Sequence, residues 1–232
     1  MKVGFAVTAV ISASQLGTPE AAQEANEAGL RRLDDPTLNP RKAYDLLLDS
    51  GRLRRGMGNL VAAASLLERA KAKAIDMFGE TSPQAADVMA DLGRVQLDRG
   101  RFAEAGADCG LAASLKTPGS TRPTPGWLSA IGCLAQAQLG DQKGAEAART
   151  FQAILDAVDG AGTAAAGERM NALEGLGAAA RESGDYAGSL RALDAAVGLA
   201  EAGTRALGTK KPALSTILYT AGANRAGTKR TQ

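Results

Sequence analysis

Along most of the chain, apolar residues recur three and four positions apart with polar residues between them, as at Ala63, Leu67 and Ala70 after Leu60. That spacing gathers the apolar side chains into one stripe along an α-helix and leaves the polar ones on the opposite face. The pattern predicts helices over residues 20–33, 40–55, 60–77, 83–98, 102–116, 126–139, 143–158, 164–182, 186–206 and 212–225. Between the fifth and sixth of these, Thr117-Pro118-Gly119-Ser120-Thr121-Arg122-Pro123-Thr124-Pro125 is expected to be a loop, because proline cannot donate to a helix and glycine weakens one.

A turn motif recurs with the helices: a glycine, an aromatic or apolar residue two positions later, then an Ala-rich stretch. The turn glycines are Gly58, Gly100, Gly140 and Gly184, with Gly227 as a fifth, at spacings of 42, 40, 44 and 43 residues. A helix pair repeated at such a period buries its apolar stripe only by stacking on its neighbours, so the period predicts a solenoid. Two copies stand in register: Leu92-Gly93 precedes Gly100-Arg101-Phe102 as Leu176-Gly177 precedes Gly184-Asp185-Tyr186. Small residues let the paired helices approach closely, and the turn glycine ends the first helix in the left-handed region.

These residues resemble the tetratricopeptide repeat (TPR), whose signature has Leu-Gly in the first helix, Gly-x-Tyr at the turn and small residues in the second helix. A period near 42 exceeds the usual length of about 34 and is similar to the longer repeats of kinesin light chains and many bacterial multi-repeat proteins. Their linker of Leu-Gly, a few polar residues and Pro has counterparts in Phe78-Gly79-Glu80-Thr81-Ser82-Pro83 and Leu207-Gly208-Thr209-Lys210-Lys211-Pro212. Gly79 and Gly208 are expected to cap the preceding helices, Ser82 to N-cap the next, and Pro83 or Pro212 to sit in the first turn that follows. The resemblance covers residues 40–232 and implies an all-α fold, a right-handed α-solenoid of antiparallel helix pairs. Its units fall at about 40–78, 83–116, 126–158 and 164–206, with a terminal helix at 212–225. The match is uneven. Ser50-Gly51 replaces Leu-Gly in the first unit, and the third carries two extra residues between Gly140-Asp141 and Ala147, with Cys133 in place of the first-helix glycine.

Composition narrows the chemistry. Hydrophobic residues make up 45% but aromatics only 3%, which suits helices packed through small side chains. The chain has no His, which excludes Ser-His-Asp and Cys-His nucleophiles and His-ligated metals. Its 27 Lys and Arg nearly cancel 25 Asp and Glu, so no one-signed field marks a nucleic-acid or membrane surface. Gly175-Leu176-Gly177-Ala178-Ala179-Ala180 matches a dinucleotide pattern, but it lies within a helical stretch and its glycines fall on packing slots. The basic run Arg52-Leu53-Arg54-Arg55, with Arg31-Arg32, Arg41 and Lys42, reads as a solvated helix face. No catalytic residue, cofactor or metal site is expected, and the chain is not read as an enzyme. Cys109 and Cys133 are either bridged or two buried small hydrophobes; the unbridged reading is preferred and no redox role is assigned.

Met1-Lys2 and the apolar stretch from Val3 to Leu16 have signal-peptide form, with Gly17-Thr18-Pro19-Glu20-Ala21-Ala22 as the cleavage region. Residues 1–22 are therefore read as a signal peptide, giving a periplasmic or secreted protein. The alternative is a first helix in a cytoplasmic protein. The stretch is too short and polar to span a membrane, so no stable membrane insertion is expected.

In tetratricopeptide arrays the first helix of each unit lines the concave groove. The resemblance assigns to that groove Asp87, Ala90, Arg94 and Leu97 of the second unit and Asn171, Glu174, Ala178 and Arg181 of the fourth, with Trp127 and Leu134 from the third. Trp127, the sole Trp, is a candidate anchor, the alternative being a core position. Arg94 and Arg181 are expected to steer a ligand while contributing little to stability. The Lys and Asn of a carboxylate clamp do not recur at these slots, which argues against recognition of a free C-terminus. The expected function is a monomeric, non-catalytic scaffold binding a peptide or protein segment; the alternative is a regulatory or sensor module of a bacterial signalling system.

Overall fold

A computed structural model of the chain describes residues 19–33, 35, 37–115, 124–159 and 165–207. The described helices are α1 (Pro19–Leu30), α2 (Pro40–Gly56), α3 (Leu60–Phe78), α4 (Pro83–Asp98), α5 (Phe102–Ser114), α6 (Pro125–Gly140), α7 (Gly144–Ala157), α8 (Ala166–Glu182) and α9 (Tyr186–Leu207). Their bounds follow the apolar periodicity closely. The helix expected at 212–225, the turn at Gly227, the cap at Gly208 with Pro212, and residues 1–18 lie outside the described residues.

The ends of the helices are set by local chemistry. Asn39, Ser82 and Thr124 each accept a hydrogen bond from a first-turn amide, and each is followed by proline at the first helical position. Thr124 and Pro125 thus start α6, rather than ending the loop that the sequence places there. Gly79 closes α3 at φ 90°, its N–H donating to the Ile75 carbonyl.

Each helix packs on the next, and tight turns make α2/α3, α4/α5, α6/α7 and α8/α9 antiparallel pairs, with α1 packed on α2. The left-handed turn residues are Gly58, Gly100, Gln142 and Gly184, so the period is a constant 42 residues. The third turn is therefore at Gln142, with φ 60°, and not at Gly140. Gly140 is a packing glycine: a Cβ there would overlap the Phe102 ring. No extra residues interrupt the third unit.

The same 42-residue step runs through the core. Ala63, Ala105, Ala147 and Ser189 are all fully buried in the second helices. Opposite them, Gly51, Gly93, Ala135 and Gly177 face Leu67, Cys109, Phe151 and Leu193. A Cβ on Gly51 would lie 2.6 Å from Leu67 Cγ, one on Gly177 2.9 Å from Leu193 Cγ, and one on Gly93 would overlap the Cys109 sulfur. Gly51 is thus in full register, and the third unit fills the slot with Ala135 rather than Cys133. The dinucleotide-like glycines behave as packing elements: Gly175 receives the Phe151 ring and Gly177 receives Leu193.

Two sequence expectations are corrected by contacts between helices. Cys109 and Cys133 are not separate thiols but a disulfide joining α5 to α6, with Cα atoms 5.8 Å apart. The next junction uses the same 24-residue step without a covalent bond, Phe151 filling the space over Gly175. The basic run is not merely a solvated face. Arg52 Nε donates to Asp91 at 2.6 Å, Arg55 Nε to Asp98 at 2.5 Å, and Arg54 pairs with Glu27 at 3.4 Å, tying α2 to α4 and to α1. Arg41 pairs with Asp45 at 3.1 Å and lies over the Tyr44 and Phe78 rings.

Helix α1 is seated by fully buried Asn26, whose amide donates to the Ser50 hydroxyl. The cleavage point after Ala22 falls inside this helix. Among the described residues no helix is long and apolar enough to cross a membrane.

Candidate functional site

The first helices of the pairs, α2, α4, α6 and α8, touch one another in succession, and no two second helices share comparably extensive contact among the described residues. The array therefore bends toward its first-helix side, and that side forms the groove. The 42-residue register places Asp45, Leu48, Arg52 and Arg55 on this face in the first unit, and Asp87, Ala90, Arg94 and Leu97 in the second. Ser129, Gly132, Gln136 and Leu139 follow in the third, then Asn171, Glu174, Ala178 and Arg181 in the fourth. The first- and third-unit slots escaped the sequence reading. A constant step from Gly100 leads to Gln142, and choosing the nearest glycine instead shifted the third unit by two residues.

Trp127 accordingly does not occupy a groove slot. It stands in register with Ala43, Ala85 and Arg169, is half-buried, and packs against the apolar cluster of α6, α7 and α8. Leu134 is likewise in register with Ser50, Leu92 and Leu176, away from the groove slots.

The two halves of the groove differ in chemistry. Over α2 and α4, charges satisfy one another. Buried Asp91 accepts from Arg52 and, at 3.0 Å, from Arg94 Nη1, so Arg94 is a structural partner as well as a groove residue. Asp87 lies against the start of α6, where a Cβ on Gly126 would be 2.6 Å from its Oδ1. Loss of hydration there raises its carboxyl above the usual aspartate range, with Arg52 opposing the shift. Leu97 is half-buried one turn beyond Arg94.

Over α6 the slots Ser129, Gly132, Gln136 and Leu139 are uncharged, α8 adds Glu174 and Arg181, and a pocket opens. It has a volume of about 340 Å³ and lies between α4, α6 and α8. Leu128, Phe151, Ile154 and Ala172 give it an apolar lining; Arg94, Ser129, Gln136, Glu168 and Asn171 supply polar groups. The space exists because Gly132 stands where the earlier units carry buried Leu48 and Ala90, and a Cβ on Gly132 would meet nothing within 4 Å. Arg94 and Asn171 are thus brought to one pocket. Glu174 is half-buried on α8, and desolvation alone raises its carboxyl above the usual range. Arg181 is exposed in the last turn of α8. A larger hollow of about 570 Å³ lies elsewhere, between the α1–α2 connection, the start of α2 and α3, away from the groove slots. Among the described residues no cluster of His, Cys, Asp or Glu is arranged to hold a metal.

No family model matches the chain, and no curated protein matches it. Solved structures do. A putative kinesin light chain of Podosopora anserina with nearly identical TPR-like repeats superposes at a TM-score of 0.74 and 16% identity, covering 88% of this chain and 97% of that one. BtubC (BKLC) from P. vanneervenii matches at 0.71 and 16% identity, over 90% of this chain and 82% of that one. A Rap protein complexed with Competence and Sporulation Factor matches at 0.72 and 10% identity, over 99% of this chain but 61% of that one. The fold is a TPR-like α-solenoid, as its structural neighbours are.

Proposed function

We propose that the chain is a non-catalytic scaffold that holds a peptide or protein segment on its first-helix face. The observation that carries this reading is the pocket between α4, α6 and α8, with its apolar lining and with the groove-slot residues Arg94, Ser129, Gly132, Gln136 and Asn171 among its walls. Such a site suits a side chain inserted from a bound segment. That a structural neighbour, the Rap protein, was crystallised in complex with Competence and Sporulation Factor supports a binding role. The Cys109–Cys133 bridge supports a periplasmic or secreted setting, because disulfides persist in oxidising compartments.

Site-specific photocrosslinking in the native cell tests the proposal. A photoreactive residue at Gln136 in the groove should capture a defined partner that the same group at exposed Arg191 on α9 does not. Identical adducts from both positions, or none from Gln136, would overturn it. Fractionation of the same cells checks the compartment.

A further inference from the structure

We propose that the segment bound in this groove inserts one large apolar side chain over Gly132 and carries a lysine or arginine beside it, with no acidic residue in the pocket. This rests on the scaffold reading and names its ligand. At about 340 Å³ the pocket has room for one large side chain. Leu128, Phe151 and Ile154 supply the apolar contact that such a side chain gains on leaving water.

Charge sets the flank. The cation at the pocket, Arg94, is held by Asp91, which also takes Arg52, so a ligand carboxylate would compete with a buried acceptor. On the opposite wall Glu168 lines the pocket and Glu174 occupies the adjoining groove slot, and neither pairs with a cation among the described residues. The raised carboxyl of Glu174, caused by burial alone, agrees with a site that a ligand cation would neutralise. Gln136 and Asn171 are exposed on neighbouring first helices, and each amide offers both a donor and an acceptor to a peptide backbone.

Random dodecapeptides displayed on phage, selected against the purified oxidised protein, provide the probe. The strongest peptide is then measured by fluorescence anisotropy against variants. Enrichment of an apolar residue next to Lys or Arg is expected. Gly132→Leu should weaken binding by about tenfold or more, with Gly132→Ala intermediate, as expected for loss of an anchor pocket. In both variants the added Cβ meets nothing within 4 Å, and circular dichroism confirms their folding; if the leucine variant is unstable, the alanine variant decides. Glu168→Gln with Glu174→Gln should remove the preference for a basic flank. Acidic consensus peptides, or equal binding by the Gly132 variants, would overturn this inference while leaving a peptide scaffold in place. No enrichment of any peptide would overturn both.

Discussion

Replacing Cys109 and Cys133 together by alanine opens a loop whose ends are 24 residues apart in sequence. The chain-entropy relation gives about 3.5 kcal/mol for a closed loop of that length, all of it through the unfolded state. Packing adds to the loss in the same direction. Both cysteines are buried, and the Cys109 sulfur fills a slot that Leu67, Phe151 and Leu193 fill in the other units, against Gly93. Urea unfolding followed by circular dichroism should therefore separate the oxidised wild type from the double variant by more than about 1 M in midpoint. Wild type in dithiothreitol should move toward the variant. Because stability in a solenoid is largely a sum over neighbouring units, hydrogen exchange should accelerate most in α5 and α6 and least in α2 and α3. A difference below about 1 kcal/mol, or two titratable thiols in the denatured, unreduced wild type, would refute the reasoning.

Four further outcomes are expected. Gln142→Gly relieves a side chain held at φ 60° and should raise stability by about 1 kcal/mol, read as a higher Tm; a lower Tm would refute a left-handed turn there. Gly177→Leu forces a side chain into Leu193 and should cost roughly 1–3 kcal/mol, whereas Gly132→Ala should cost none, since its Cβ meets open space; both are read by thermal melting. Arg94→Glu sets a like charge beside buried Asp91 and should cost roughly 1–2 kcal/mol, discounted because both guanidiniums are partly exposed; a neutral result in urea titration would show Asp91 to be satisfied by Arg52 alone. Burial raises the Asp108 carboxyl above 3.8, with Lys71 opposing. The folded state then holds this proton more tightly than the unfolded one, so ionisation costs stability above the raised folded pKa, and the cost vanishes as pH falls through it. Asp108→Asn should therefore gain more at pH 7 than near pH 4, and an equal gain at both would exclude burial as the cause.

Helix positions, caps and the solenoid itself were legible because each depends on residues close in sequence. Asn39, Ser82 and Thr124 cap their own first turns, Gly79 closes its own helix, and alanines four apart form their own stripe. The small-residue slots at Gly93 and Gly177 were visible because a close helix approach leaves room for little else. The third unit is where that local logic is weakest: a turn that places Gln142 at positive φ has no glycine to mark it, while the nearby Gly140 serves the Phe102 ring instead.

What only the tertiary structure decided are relations between helices. Whether Cys109 meets Cys133, whether Arg52 and Arg94 converge on Asp91, and whether Gly132 leaves a space are matters of distance across a junction, which no periodicity along one helix contains. The two-residue shift of the third unit mattered for the same reason. On a helix two residues turn a side chain by about 200°, enough to move Trp127 from the groove to the core flank and to bring Gln136 into the pocket.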